Sequence, residues 1–106
     1  VVGQVSQRAT AIVTSPGVGR FTAHLPEGLQ TFADPETAMQ ATEAALTLEA
    51  VRRAKHAGAE DLRITTARDL RSASVEGQPM FVEATISVTA SGRPRVAHAV
   101  PEDAAI

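Results

Sequence analysis

The chain has 106 residues, a formal net charge of −2, 43% hydrophobic residues and no cysteine. This length fits one small domain, and the missing cysteines exclude disulfides, zinc–thiolate sites and thiol nucleophiles within the sequence. Alanine supplies 20 of the hydrophobic residues and the aromatic share is only 3%. We therefore expect a thin core built from Val, Leu, Ile and Ala.

The charge pattern and the hydropathy of the chain argue against nucleic acid and membrane partners. The arginines are dispersed along the sequence rather than gathered in a basic stripe, and aromatic side chains for base stacking are nearly absent. No apolar run reaches the roughly 18 residues that a membrane-spanning helix needs, and no basic and apolar leader opens the chain. We expect a cytoplasmic domain, and the first residue, Val1, suggests a piece of a longer polypeptide.

Two segments near the amino end alternate between apolar and polar residues, as half-buried strands do. They cover residues 5–14 and 18–25. The Pro-Gly step at residues 15–17 marks a tight turn between them. We predict a β-hairpin here, followed by a loop over residues 26–33.

A helix is predicted over residues 35–57. Asp34 is a typical N-cap, Pro35 suits the first helical position, and Gly58 suits the left-handed residue that follows a helix end. At about 100° per residue, the apolar side chains of this helix form two nearly opposite stripes. The first stripe consists of Ala41, Ala44, Leu48 and Val51, and the second of Met39, Leu46, Ala50 and Ala57.

Only one of these stripes can face a sheet of the same domain. The helix therefore either carries a broad surface of small residues or docks on a second body through its other stripe. We predict docking, and the candidate interaction residues are Met39, Leu46, Ala50 and Ala57.

Two more strands are predicted after the helix, over residues 61–68 and 80–90, with an irregular polar connection between them. The pattern predicts an α+β fold. It is a two-layer β-β-α-β-β unit, with a four-stranded, mostly antiparallel sheet and one long helix on one face. We expect this single α+β domain to cover residues 1–97, and residues 98–106 to form a flexible C-terminal tail.

No motif in the sequence points to a metal, a cofactor or a catalytic group. His24, His56 and His98 lie far apart and lack the i,i+4 spacing of helical metal ligands. The Gly-rich residues 15–20 precede a strand rather than a helix, which favours a hairpin turn over a phosphate site. We predict no catalytic residue, no cofactor and no metal ligand.

A polar segment at residues 68–76 is the place where a small active site would lie. It contains Arg68, Asp69, Arg71 and Glu76. Long polar loops often carry function, but an exposed linker has the same composition, and we favour the linker.

Three segments carry a family resemblance: residues 1–6 (VVGQVS), 49–59 (EAVRRAKHAGA) and 76–84 (EGQPMFVEA). Together they resemble the C-terminal region of bacterial hydantoinase/oxoprolinase-family proteins of the ATP-dependent, large-subunit type. The resemblance covers about residues 1–97. It implies a parent enzyme that couples ATP hydrolysis to the opening of cyclic amides. The family's nucleotide-binding motifs are absent from this sequence, so no catalytic residue is transferred.

The leading hypothesis is a non-catalytic accessory or docking domain, which packs on an ATPase-like core of the parent chain or on a partner subunit. One alternative is a self-contained homo-oligomeric binding or assembly module. The other is a small enzyme with a site near residues 68–76. The expected partners are the rest of a parent chain, a partner subunit or a second copy of this chain.

Overall fold

The computed structural model describes residues 4–94, which form five strands and one helix. In chain order these are β1 (Val5–Gly17), β2 (Arg20–Leu25), β3 (Gly28–Phe32), α1 (Pro35–His56), β4 (Ala59–Val75) and β5 (Gln78–Pro94). The strands form one antiparallel sheet in the order β3-β2-β1-β5-β4. The predicted α+β class and antiparallel sheet are confirmed, but the sheet has five strands, not four. The predicted tail lies outside the described residues.

The additional strand, β3, lies where we predicted a loop over residues 26–33. Leu25 pairs with Gly28, so only two residues turn the chain, and the pairing continues until Phe21 faces Phe32. Only Phe32 of this strand is even partly buried. The strand was missed because an edge strand exposed on both faces lacks the apolar alternation that identifies a strand.

β4 and β5 are longer than predicted and form one continuous hairpin. The expected irregular connection over residues 69–78 is wrong, because β4 runs to Val75 and β5 begins at Gln78. Only Glu76 and Gly77 lie between them, with φ of 52° and 77°. Tight two-residue hairpin loops need such left-handed backbone.

One cluster of buried side chains joins the helix to the sheet. Val13 on β1, Ile86 and Val88 on β5 and Leu46 on α1 are all at most 1% exposed. The predicted alternation along β1 and β5 is therefore confirmed at the positions that meet the helix. Small side chains fill much of the remaining core: Ala9, Ala11, Ala23, Ala38, Ala50, Ala54, Ala84 and Ala90.

The ends of α1 follow the local signals in the sequence. The Thr37 N–H donates to the Asp34 carboxylate at 2.8 Å, which confirms the N-cap and lowers the pKa of Asp34. Gly58 has φ of 92°, as the predicted residue after the helix end requires. The helix ends at His56, one residue earlier than predicted. No helix among residues 4–94 is long and apolar enough to cross a membrane.

A β-bulge shapes the start of β4. The pairing with β5 changes register between Glu60 and Arg63, and Asp61 has φ of 55°. This bulge brings the Glu60 carbonyl directly over Gly92, where a side chain would collide with it. Position 92 therefore requires glycine, because the backbone of β4 at Glu60 comes too close to leave room for a side chain.

Candidate interaction surface

The structure places the predicted interaction residues in the core and at the end of α1. Met39, Leu46 and Ala50 are at most 4% exposed and belong to the cluster shared with the sheet. Ala57 is exposed at the C-cap. The first three are therefore core residues of this domain, covered by its own strands. Their stripe continues along the helix through Ala38, Thr42 and Ala54.

The opposite stripe of α1 faces away from the core. Leu48 is 74% exposed, Ala44 is exposed, and Ala41 and Val51 are half-buried at its margins. Single exposed apolar side chains are ordinary on a protein surface. The helix therefore presents one large exposed apolar side chain.

More apolar surface lies on the β4–β5 hairpin. β1 pairs with β5 only as far as Glu83, so residues 72–82, called the arm below, continue as a ribbon of β4 and β5 alone. Val75, Met80 and Val82 on this arm and Leu70 just before it are each between 37% and 53% exposed. The arm is therefore a two-stranded projection with apolar side chains in contact with solvent.

An open apolar groove of about 400 Å³ lies between the base of the arm and the β1–β2 turn. The rings of Phe21 and Phe81 meet there edge to face, with centroids 5.5 Å apart. The predicted hairpin is present, but residues 15–17 belong to β1, and Val18 and Gly19 form the turn, with Gly17 paired to Arg20. The groove offers apolar contacts and no ionisable side chain. Its lining consists of Ser15, Gly17, Val18, Gly19, Phe21, Met80, Phe81 and Val82.

Arg68 on β4 binds two carboxylates of the helix. Its Nε donates to Glu43 at 2.5 Å, and its Nη1 and Nη2 each donate to one oxygen of Glu36 at 3.1 Å. Such bidentate, charge-assisted bonds are strong. The hydrogen bonds to Glu43 and Glu36 raise the pKa of Arg68, and the bonds from Arg68 lower the pKa of Glu36. The charge that β4 points toward the helix is therefore compensated.

Replacing Arg68 by glutamine is expected to raise the pKa of Glu36 toward its ordinary value. In the wild type the pKa of Glu36 is lowered in the folded protein. The ion pair therefore stabilises the fold at pH values above the ordinary pKa of a glutamate. That stabilisation is lost as the pH falls through the lowered pKa. Carboxyl NMR titration measures the shift. The control is Arg52→Gln, which should raise the pKa of Glu49, held low by Arg52, and leave Glu36 unchanged. An unchanged Glu36 titration in Arg68→Gln would contradict the assigned cause.

The residues of the predicted polar segment line neither of the two grooves described between residues 4 and 94. Arg68 binds Glu36 and Glu43 of the helix. Nη1 of Arg71 lies 3.6 Å from Oε1 of Glu83, and Glu76 lies in the hairpin turn. Asp69 is exposed on β4. None of them lines the apolar groove or a second, polar groove of about 200 Å³ near the β4 bulge.

The histidines remain separate in the structure. His24 shares a 3.1 Å hydrogen bond between its Nε2 and the Thr14 hydroxyl, and His56 is exposed at the helix end. His98 lies outside the described part of the chain. Within residues 4–94, no three His, Asp or Glu side chains come together to hold a metal ion.

The longest open surface for backbone pairing is the outer edge of β4. This strand is last in the sheet order, and among the described residues no strand pairs with its outer side. It is 17 residues long, against 5 for β3 at the other edge. Every residue from Arg63 to Val75 is exposed. The alternation over residues 61–68 predicts the first half of this strand, and the absence of Gly and Pro over residues 59–75 is the one signal for its full length.

Comparison of the chain with protein-family models, with curated proteins and with solved structures gives no match. The resemblance to hydantoinase/oxoprolinase proteins therefore stays a prediction.

Proposed function

We propose that this domain is a self-contained assembly module, in which copies of the chain associate through the open β4 edge. The observation that carries the proposal is the length of that edge, 17 residues exposed along nearly all of the strand. We take the domain to be a two-layer, cytoplasmic unit with its helix over one face of the sheet. The helix then leaves the outer edge of β4 free to pair.

An open edge strand favours association because it presents a row of backbone donors and acceptors in the geometry of a β-ladder. Proteins commonly block long edges with Pro, a bulge or an inward-pointing charge. β4 has an inward-pointing charge at Arg68, but Glu36 and Glu43 neutralise it. The strand has one bulge, between Glu60 and Arg63, and a second bulge beside Arg71 has its extra residue, Val82, on β5. The segment from Arg63 to Arg71 pairs regularly with β5, and neither a proline nor a bulge of its own interrupts it.

Exposed apolar side chains along β4 support the same proposal. Ile64 and Leu70 are 40% and 53% exposed on the side of the strand that faces the helix. Pairing with another strand would cover part of both side chains. Removing apolar surface from water is worth roughly 25 cal/mol per Å². Backbone pairing and apolar burial therefore favour the same contact.

The second candidate is the accessory domain of a larger enzyme, docked through the outer stripe of α1. The exposed Leu48 supports it, together with the family resemblance of residues 49–59. Its test is a pull-down of this domain with an ATPase-like core of the hydantoinase/oxoprolinase type. Retention that is lost in Leu48→Lys would support docking through the helix, and no retention would contradict it.

We expect the purified chain to sediment as a multiple of 11.1 kDa and to melt at a temperature that rises with protein concentration. Sedimentation velocity and thermal melts over about a hundredfold range of concentration measure both quantities. Ile64→Lys should weaken association because it adds a charge to the β4 edge, whereas Leu48→Lys on the outer helix face should not. A chain that stays monomeric, with a constant melting temperature, would overturn the proposal.

A further inference from the structure

We infer that the partner at this edge is a second copy of the chain, with the two β4 strands antiparallel and Thr66 at the two-fold axis. The inference rests on the proposed assembly function and assigns its geometry. A two-fold axis perpendicular to the sheet joins two such edges into one continuous sheet. Residues equally distant from Thr66 then face each other and share a face of the sheet.

The charges on the face away from the helix are self-complementary in this register. Arg63 and Asp69 pair within the chain with Ser91 and Thr85, whose neighbours along β5 point into the core. Both charged side chains therefore lie on the outer face, and both are exposed. Around Thr66, Arg63 of one copy faces Asp69 of the other. By symmetry this opposite-charge pair forms twice.

A second charge pair extends the pattern at the ends of the contact. Asp61, which binds Arg93 within its own chain, lies in the bulge just beyond the regular ladder, at the end where Arg71 of the second copy comes. From Asp61 to Arg71 the outer charges therefore alternate in the order negative, positive, negative, positive. The antiparallel β4 strand of the second copy presents the same charges in the reverse order, so that each positive side chain comes beside a negative one. Opposite charges directly across a ladder are favourable, and like charges are unfavourable.

Neighbouring registers lose this complementarity. A shift that centres the pair on Thr65 places Arg63 opposite Ala67 and leaves Asp69 at the bulge, near Asp61. A shift that centres it on Ala67 places Arg63 opposite Arg71. The first alternative loses both Arg63–Asp69 pairs, and the second also brings two arginines together twice in the dimer. The charge pattern therefore selects the Thr66 register through repulsion in the alternatives as well as attraction in the correct one.

In the same register, the side chains on the helix-facing side of the two β4 strands also allow close pairing. Leu62 comes opposite Leu70, and Ile64 comes opposite Arg68. Leu62 already packs on the core, so Leu70 of the second copy would extend the apolar surface there. Arg68 brings no uncompensated charge, because Glu36 and Glu43 bind it within its own chain.

The decisive experiment exchanges the charges across the axis. Arg63→Asp places an aspartate opposite Asp69, and Asp69→Arg places an arginine opposite Arg63, so each single variant carries two like-charge pairs in the dimer. We expect each to raise the dimer dissociation constant by about tenfold or more. Sedimentation equilibrium at low salt measures the constants, because salt screens exposed charges.

The two single variants should rescue each other when mixed. In the mixed dimer, the introduced aspartate of one copy faces the introduced arginine of the other, and the unchanged Asp69 faces the unchanged Arg63. We expect the equimolar mixture and the double variant Arg63→Asp/Asp69→Arg to bind within about threefold of the wild type. Arg8→Asp on β1, inside the sheet, makes the same change in net charge as Arg63→Asp and should leave the constant unchanged.

The outcomes separate this inference from the proposed function. If the wild type associates but the two single variants associate equally well, the register is wrong while assembly stands. If the single variants dissociate and their mixture does not recover, the Arg63–Asp69 contact is wrong. A monomeric wild type overturns both. Circular dichroism of each variant shows that loss of association is not loss of folding.

Discussion

Leu46→Ala is expected to lower the free energy of unfolding by about 2–5 kcal/mol, as truncation of fully buried leucines does. Leu46 is 1% exposed and is the largest fully buried side chain. Many of its core neighbours are alanines, which have no side-chain freedom with which to fill the cavity. A domain of this size is stable by only about 5–15 kcal/mol. The variant should therefore lose a large part of its stability.

Leu48→Ala is the matched control, because the same residue type on the same helix is 74% exposed there. Its effect should be within about 0.5 kcal/mol of the wild type. Urea unfolding followed by circular dichroism, at one fixed protein concentration, measures both variants. Equal losses for Leu46→Ala and Leu48→Ala would contradict the assignment of the buried helix face.

The ends of the helix were predictable because their signals are local. Asp34, Pro35 and Gly58 act on the backbone within one turn of their own positions. The buried face was harder to predict because both stripes are apolar. Thr42 added to the difficulty: a polar residue lies in the middle of the buried stripe, where its hydroxyl donates to the Ala38 carbonyl at 2.8 Å. That bond within the helix removes the cost of burying the hydroxyl.

The strands also divide into those that the sequence predicts and those that it does not. β1 and β5 contact the helix on one face only, so apolar and polar residues alternate along them. This alternation predicts both strands from the sequence. β3 and the far half of β4 are exposed on both faces. Apolar and polar residues therefore do not alternate along them, and the sequence predicts loops over residues 26–33 and 69–78 instead. Their pairing comes from tight two-residue turns and from the neighbouring strand rather than from burial.

The candidate surface was beyond sequence reasoning for a topological reason. Whether β4 is an edge strand depends on β1 pairing with β5, a contact between segments far apart in the sequence, as the pairing of Val5 with Gly92 shows. The alternation of Asp61, Arg63, Asp69 and Arg71 is visible in the sequence. It acquires meaning only when these residues are known to lie on the outer face of an edge strand.

Gly92→Ala is expected to destabilise the domain by about 1–3 kcal/mol, the usual cost of forcing an extra group into a packed site. A Cβ at this position collides with the Glu60 carbonyl oxygen and lies 3.0 Å from the Leu62 side chain. The carbonyl belongs to backbone held in a bulge by the β4–β5 pairing, so it cannot move aside as a flexible side chain can.

Gly17→Ala is the control for Gly92→Ala, because the nearest atom to its Cβ is Nη2 of the Arg20 side chain, at 3.5 Å. That is ordinary contact, and the free energy of unfolding should stay within about 0.5 kcal/mol of the wild type. Urea unfolding at one protein concentration measures both. Gly92 also fixes the bulge from which the regular β4 edge begins at Arg63. Gly92→Ala should therefore weaken self-association as well, and a fully stable, fully associated variant would contradict the bulge geometry.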